Sequence, residues 1–156
     1  MVVDPTLTIF EEQFTTSSKE VPIAYRSVAE RLPPISRRSL KGMGLPGPDG
    51  KEKDYKESFR ALKRMVTTLW REGVPIVAGT DATLGGFVLQ RELELYVEAG
   101  MTPAAALQLA TIRAARLMKM DDQLGSVGAG KLADLIIVDG DPTQRIADIR
   151  RGGESD

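Results

Sequence analysis

Between Asp54 and Gly79 a long amphipathic stretch runs directly into a short apolar one, and few folds accept that order. Phe59, Leu62, Val66 and Leu69 recur at i, i+3, i+7 and i+10, with Met65 and Trp70 widening the stripe. That spacing gives a helix one apolar face and leaves its charged residues to water. Asp54 is placed as the N-cap of a helix reaching Glu72, with Gly73 as its C-terminal stop. The run Val74-Pro75-Ile76-Val77-Ala78-Gly79 that follows is apolar and too short for a helix, which predicts a buried strand with Pro75 near its start. Upstream, Val2 to Phe10 is rich in β-branched residues and reads as another strand, ending at the polar run from Glu11. Strand, helix, strand in that order predicts a parallel α/β arrangement.

The remaining segments extend this pattern. A short helix is expected around Ile23 to Arg31, stopped by Leu32-Pro33-Pro34. Ser36 to Lys53 is rich in glycine and proline and reads as a loop. A helix is expected from Phe87 to Ala99, with Leu89, Leu93, Tyr96 and Val97 facing inward and Glu92, Glu94 and Glu98 facing water. Thr102 and Pro103 have the residue types of an N-cap and a first helical position. They open a helix to about Lys119 whose inward stripe is Leu107, Ala110, Ala114, Leu117 and Met118. Gly125, Gly128 and Gly130 mark a turn, Ala133 to Asp139 a β segment, and Arg150 to Asp156 a polar, frayed tail.

Composition narrows the chemistry. The chain has 156 residues and a formal net charge of -1, which supplies no field to draw nucleic acid or an anionic membrane. No apolar run is long enough to span a bilayer, and no signal peptide is visible, so a chain complete as given is expected in the cytoplasm. There is no cysteine and no histidine. Thiolate nucleophiles are thereby excluded, and the commonest metal ligand and general base is missing.

Three motifs carry candidate chemistry. Gly79-Thr80-Asp81 falls where the strand from Val74 should end. Carboxylates at the carboxyl ends of parallel strands bind metals or accept protons from metal-bound water, although an Asp in a strand-to-helix turn can equally be a simple cap. Gly125 to Lys131 fits G-x-x-x-x-G-K, the start of a phosphate loop. The next residue is Leu132 rather than Ser or Thr, and a strand, not a helix, is expected to follow, which favours a plain glycine-rich turn. Asp134, Asp139 and Asp141 flank one segment but lack the spacing of a calcium loop.

Taken together, Gly73-Val-Pro-Ile-Val-Ala-Gly-Thr-Asp-Ala82, Arg91-Glu-Leu-Glu-Leu-Tyr-Val-Glu-Ala-Gly-Met-Thr-Pro103, Ala110-Thr-Ile-Arg-Ala-Ala-Arg-Leu117 and Gly130-Lys-Leu-Ala-Asp-Leu-Ile-Ile-Val-Asp-Gly-Asp-Pro142 resemble the C-terminal part of the amidohydrolase superfamily, in its imidazolonepropionase and prolidase-like branch. Asp4-Pro5-Thr6-Leu7-Thr8 is similar to the preceding barrel strand. The resemblance implies an α/β fold: a partial (β/α)8 TIM barrel, its last two strands and their helices, plus part of a small β-sandwich. Residues 1–120 would be barrel, 121–150 sandwich and 151–156 a disordered tail. It implies metal-dependent hydrolysis of C–N bonds in a small-molecule amide, cyclic amide or dipeptide. A divalent metal, commonly zinc, would be ligated by Asp81, which would also shuttle the proton from attacking water to the leaving group.

The sequence departs from that family in its histidines. All are absent, and Gln90 stands where some relatives have one. The expectation is a chain inactive and metal-free alone, a fragment that meets an N-terminal barrel piece or associates with itself. The alternatives are a non-catalytic binding and assembly module complementing such a piece and, more remotely, a nucleotide-binding protein using Lys131.

Overall fold

The computed structural model describes residues 1–17, 19–41, 44–45, 50–82 and 86–151. Six α-helices dominate them: α1 (Leu7–Thr15), α2 (Pro34–Leu40), α3 (Glu52–Arg71), α4 (Phe87–Glu98), α5 (Pro103–Leu109) and α6 (Ile112–Leu117). Single 3-10 turns lie at Ile23–Tyr25, Ala29–Arg31 and Ile146–Arg150. The amphipathic stretch is the helix its spacing requires. Phe59 and Val66 of α3 are buried, and Gly73 closes its end at φ 72°, a conformation costly for residues with a Cβ. Thr102 caps α5 by accepting the Ala105 N–H at 3.2 Å.

The expected α/β fold, a partial (β/α)8 barrel with a piece of β-sandwich, is overturned. Among the described residues no strand forms, and the two segments read as barrel strands meet in one isolated parallel bridge, Val3 to Ile76. Val3 N–H donates to the Pro75 carbonyl at 2.9 Å, and Val77 N–H donates to the Val3 carbonyl at 3.1 Å. Prolines stop the ladder on both sides, because each next rung needs an N–H from Pro5 or Pro75, and neither has one. The groups freed by this find other partners. The Val77 carbonyl accepts from the Tyr96 hydroxyl at 3.2 Å, Ala78 N–H donates to the Leu109 carbonyl at 3.3 Å, and Gly79 N–H donates to Asp4 Oδ1 at 3.0 Å. The expected β segment from Ala133 forms no strand, and Val138 within it takes part only in an isolated bridge. Leu135, Ile136 and Ile137 there are 63%, 77% and 86% exposed.

Three helical expectations also shift. Leu7 to Phe10, expected as strand, begins α1, because Glu92 supplies acceptors for that helix's first N–H groups. Pro34–Leu40, placed mostly in the loop, is helical, with Pro34 in the first turn where a missing N–H costs nothing. Gly42, Pro46, Gly47 and Pro48 of that loop lie outside the described residues. The helix expected from Pro103 to Lys119 is two helices. The Leu109 carbonyl is taken by Ala78, and Thr111 adopts φ -127°, ψ -104°. The break turns the buried face to Ala106, Leu109 and Ala115, leaving Leu117 and Met118 largely exposed.

The main core joins Leu7 of α1, Phe59 and Val66 of α3, Leu93, Leu95 and Tyr96 of α4, Leu109 of α5, and Ile76 and Ile146. A second cluster gathers Ala24, Tyr25, Leu40 and Val88, with Ala82 packed against it. Helix α4 contributes to both, so the segments on either side of the Val3–Ile76 bridge are fixed against one helix.

Candidate active site

The two bridged segments run parallel, so Asp4 and Gly79-Thr80-Asp81 leave the bridge at the same end. The Asp4 carboxylate lies directly over Gly79. A Cβ built on Gly79 would stand 1.9 Å from Asp4 Oδ2, so only glycine lets the carboxylate approach this closely. Two residues on, Asp81 is exposed and holds φ 45°. Asp tolerates this left-handed conformation better than most residues, and its use there marks a constrained corner.

Glu92 of α4 lies beneath this end. It is fully buried rather than solvent-facing, and one carboxylate receives Leu7 N–H at 2.8 Å, Thr8 N–H at 2.7 Å and the Thr8 hydroxyl. Glu92 thus caps α1 from a distant part of the chain. Burial raises its pKa above the usual carboxylate range, against the lowering effect of those donors. The Tyr96 hydroxyl lies beside the same carboxylate, and burial together with that negative charge holds it protonated far above its ordinary range. Neither Asp4 nor Glu92 emerges as functional from sequence reasoning. The signal for Glu92 is its position in the stripe Val88, Glu92, Leu95, Ala99, whose other members are apolar and buried.

A charged seam continues along α1 and α4. Arg91 grips Glu11 with two bonds of 2.8 and 2.6 Å and also meets Glu94 at 3.0 Å and Glu98 at 2.8 Å. Arg150 Nε then reaches Glu94 at 2.5 Å, tying in the C-terminal turn. Glu12 has no such partner: it is 2% exposed, and neither carboxyl oxygen accepts a hydrogen bond. Burial, with Glu11 alongside, pushes its pKa up to about 7.

The other candidates separate from this corner. Lys131 Nζ donates to the Asp121 carbonyl at 2.5 Å and to Ser126 Oγ at 2.7 Å, so the phosphate-loop lookalike is a turn tied shut by its own lysine. Asp141 accepts from Thr143 N–H at 2.9 Å inside its own turn, and Asp134 and Asp139 are exposed. Gln90 is half-buried on α4. Among the described residues no three His, Cys, Asp or Glu side chains converge as metal ligands. The donors present therefore do not fit a complete metal centre: at this end of the bridge they are carboxylates only, and Asp4 already serves the Gly79 amide.

Comparison with known proteins gives a consistent result. The family described as "Amidohydrolase family" matches residues 33–156. Adenine deaminase 2 of Jannaschia sp. (strain CCS1) is 34% identical over 62 residues, covering 40% of this chain and 10% of that protein. Adenine deaminase 1 of Desulfotalea psychrophila is 42% identical over 43 residues, covering 28% of this chain and 7% of that protein. A crystal structure of a Xaa-Pro dipeptidase with methionine bound in its active site superposes with TM-score 0.64 and 27% identity. It covers 97% of this chain and 32% of that one. The matches thus span about a tenth of the curated relatives and a third of the solved neighbour.

Proposed function

Because the chain belongs to the amidohydrolase family, whose members generally use a divalent metal to hydrolyse C–N bonds, we propose that it supplies Asp81, as one metal ligand and the proton carrier, to a hydrolytic site whose other metal ligands lie outside these 156 residues. The observation that carries this reading is the corner itself. Asp81 follows a segment bridged in parallel to Val3, at the end where Asp4 holds the Gly79 amide and Glu92 fixes the start of α1. Asp81 is exposed there and its carboxylate has no hydrogen-bond duty among the described residues, as a group that takes a proton from water and passes it to a leaving nitrogen requires. The proposed metal is zinc, and the other proposed ligands are histidines contributed by another part of a longer chain or by a second polypeptide.

The proposed substrate class is a small molecule with a hydrolysable C–N bond. The dipeptidase neighbour supports a dipeptide, and the adenine deaminases support an amino-substituted heterocycle. Co-expression with a histidine-bearing barrel segment of a Xaa-Pro dipeptidase tests the reading. Zinc-dependent release of proline from a dipeptide, or of ammonia from adenine, is expected in the mixture. Asp81→Asn should lower it by about a thousandfold or more, the scale of losing a proton-transfer residue. Full activity of the Asp81→Asn mixture would refute the role.

A second reading, a non-catalytic assembly module, is favoured by the exposed Leu135-Ile136-Ile137 segment, which suits addition to another chain's strand. In that case association with the histidine-bearing segment would occur without any activity.

A further inference from the structure

We propose that the cleft between the 3-10 turns and α2 is a binding site for a compact polyphosphate anion, separate from the Asp81 corner and independent of its assignment. The cleft has a volume of about 480 Å³ and is lined by Lys19, Glu30, Arg37, Arg38 and Lys41, with Val21 and Pro34 as apolar walls. Its size suits a small molecule. Four cations face one carboxylate, a local excess of +3 in a chain whose formal net charge is -1. Glu30 is already engaged by Arg37 at 2.6 Å, an exposed pair that leaves further N–H donors of the guanidinium available. No carboxylate among the described residues lies within ion-pairing distance of Lys19, Arg38 or Lys41.

Arg37 and Arg38 lie in the last turn of α2 and Lys41 is its C-cap, where the negative end of the helix offsets the repulsion among them. Lys19 adds a further cation from a different segment, which the helix end does not account for. Cations brought to one cleft from two segments suit an anion that spans them. Arginine forks and lysine ammonium groups together suit phosphate oxygens, and a ligand with two or more phosphates matches three uncompensated charges better than a single carboxylate does. The rest of the chain is net acidic, which disfavours a long polyanion such as a nucleic acid over a small one.

Titration of the whole chain with inorganic pyrophosphate at low ionic strength, followed by calorimetry, tests the site. Saturable one-to-one binding is expected, at least about tenfold tighter than orthophosphate or citrate, a preference of about 1.4 kcal/mol. Arg38→Ala with Lys41→Ala should weaken it by about tenfold or more, as should Lys19→Ala, a position outside every helix. Arg113→Ala with Arg116→Ala, a basic pair elsewhere, should not change it. Equal affinity for all three anions, undiminished binding in the Lys19→Ala variant, or binding of duplex DNA without pyrophosphate binding would overturn the proposal.

Discussion

Gly79 and Glu12 show how single side chains set the character of this molecule. The Asp4 carboxylate occupies the space a Cβ on Gly79 would take. Asp4 is exposed and its carboxylate can swing aside, so Gly79→Ala is expected to cost about 0.5–1.5 kcal/mol, the hydrogen bond from the residue 79 N–H that is lost when it does. Asp4→Ala should cost about the same, and the two together little more than either alone in urea denaturation, because both remove one bond. Glu12 presents the opposite situation, a buried group with nothing to hold. Its folded pKa of about 7 lies above the ordinary 4.5, so the folded state binds the proton more tightly than the unfolded state. The burial penalty is absent below pH 4.5, grows as pH rises between 4.5 and 7, and is complete above 7. Glu12→Gln should leave stability nearly unchanged at pH 4 and raise it at pH 8 by up to about 3 kcal/mol, since each tenfold gain in proton affinity on folding corresponds to about 1.4 kcal/mol. A variant equally stabilised at both pH values would exclude ionisation as the cause.

Among the elements, α1 depends on a cap delivered by α4. Glu92→Ala removes the acceptor for Leu7 N–H and Thr8 N–H and leaves both buried. A loss of about 2–4 kcal/mol is expected, together with faster amide exchange at those two positions. Exchange that stays slow there would mean that α1 is held by packing alone. This dependence also explains which elements could be read from the sequence. Helices α3 and α4 and the start of α5 announce themselves through periodicity, Gly73, Gly100 and the Thr102-Pro103 pair, all local signals. The start of α1 does not, since its β-branched residues favour a strand and the overriding cap lies 84 residues away at Thr8. The division of α5 from α6 follows from a carbonyl that accepts from Ala78, another distant partner. The missing strands are different, because Pro5 and Pro75 are visible in the sequence. Each is compatible with a strand end, and only their opposition across one bridge forbids a ladder. Around the Val3–Ile76 bridge, the Gly79-Thr80-Asp81 motif is visible in the sequence, whereas Asp4 and Glu92 matter through contacts that no spacing encodes.

As a whole, the molecule divides its surface unevenly. Helices α1, α3, α4 and α5 share one core, yet Leu135, Ile136 and Ile137 stand in water on a segment without regular secondary structure. A contiguous apolar run in that state promotes association. The chain is expected to self-associate with rising concentration in sedimentation experiments, and Ile136→Lys with Ile137→Thr should shift it toward monomer without lowering its thermal midpoint. Unchanged association in that variant would place the sticky surface elsewhere. Function, too, is a property of the whole chain. A family that generally hydrolyses C–N bonds with a metal is represented here by residues without histidine or cysteine, and Asp81 is the carboxylate proposed for its site. Zinc titration of the purified chain, read alongside dipeptide and adenine turnover, measures this directly. Binding no tighter than millimolar, unchanged by Asp81→Asn and without turnover, is the predicted result. One tightly bound zinc per chain, lost in Asp81→Asn and accompanied by hydrolysis, would contradict the account.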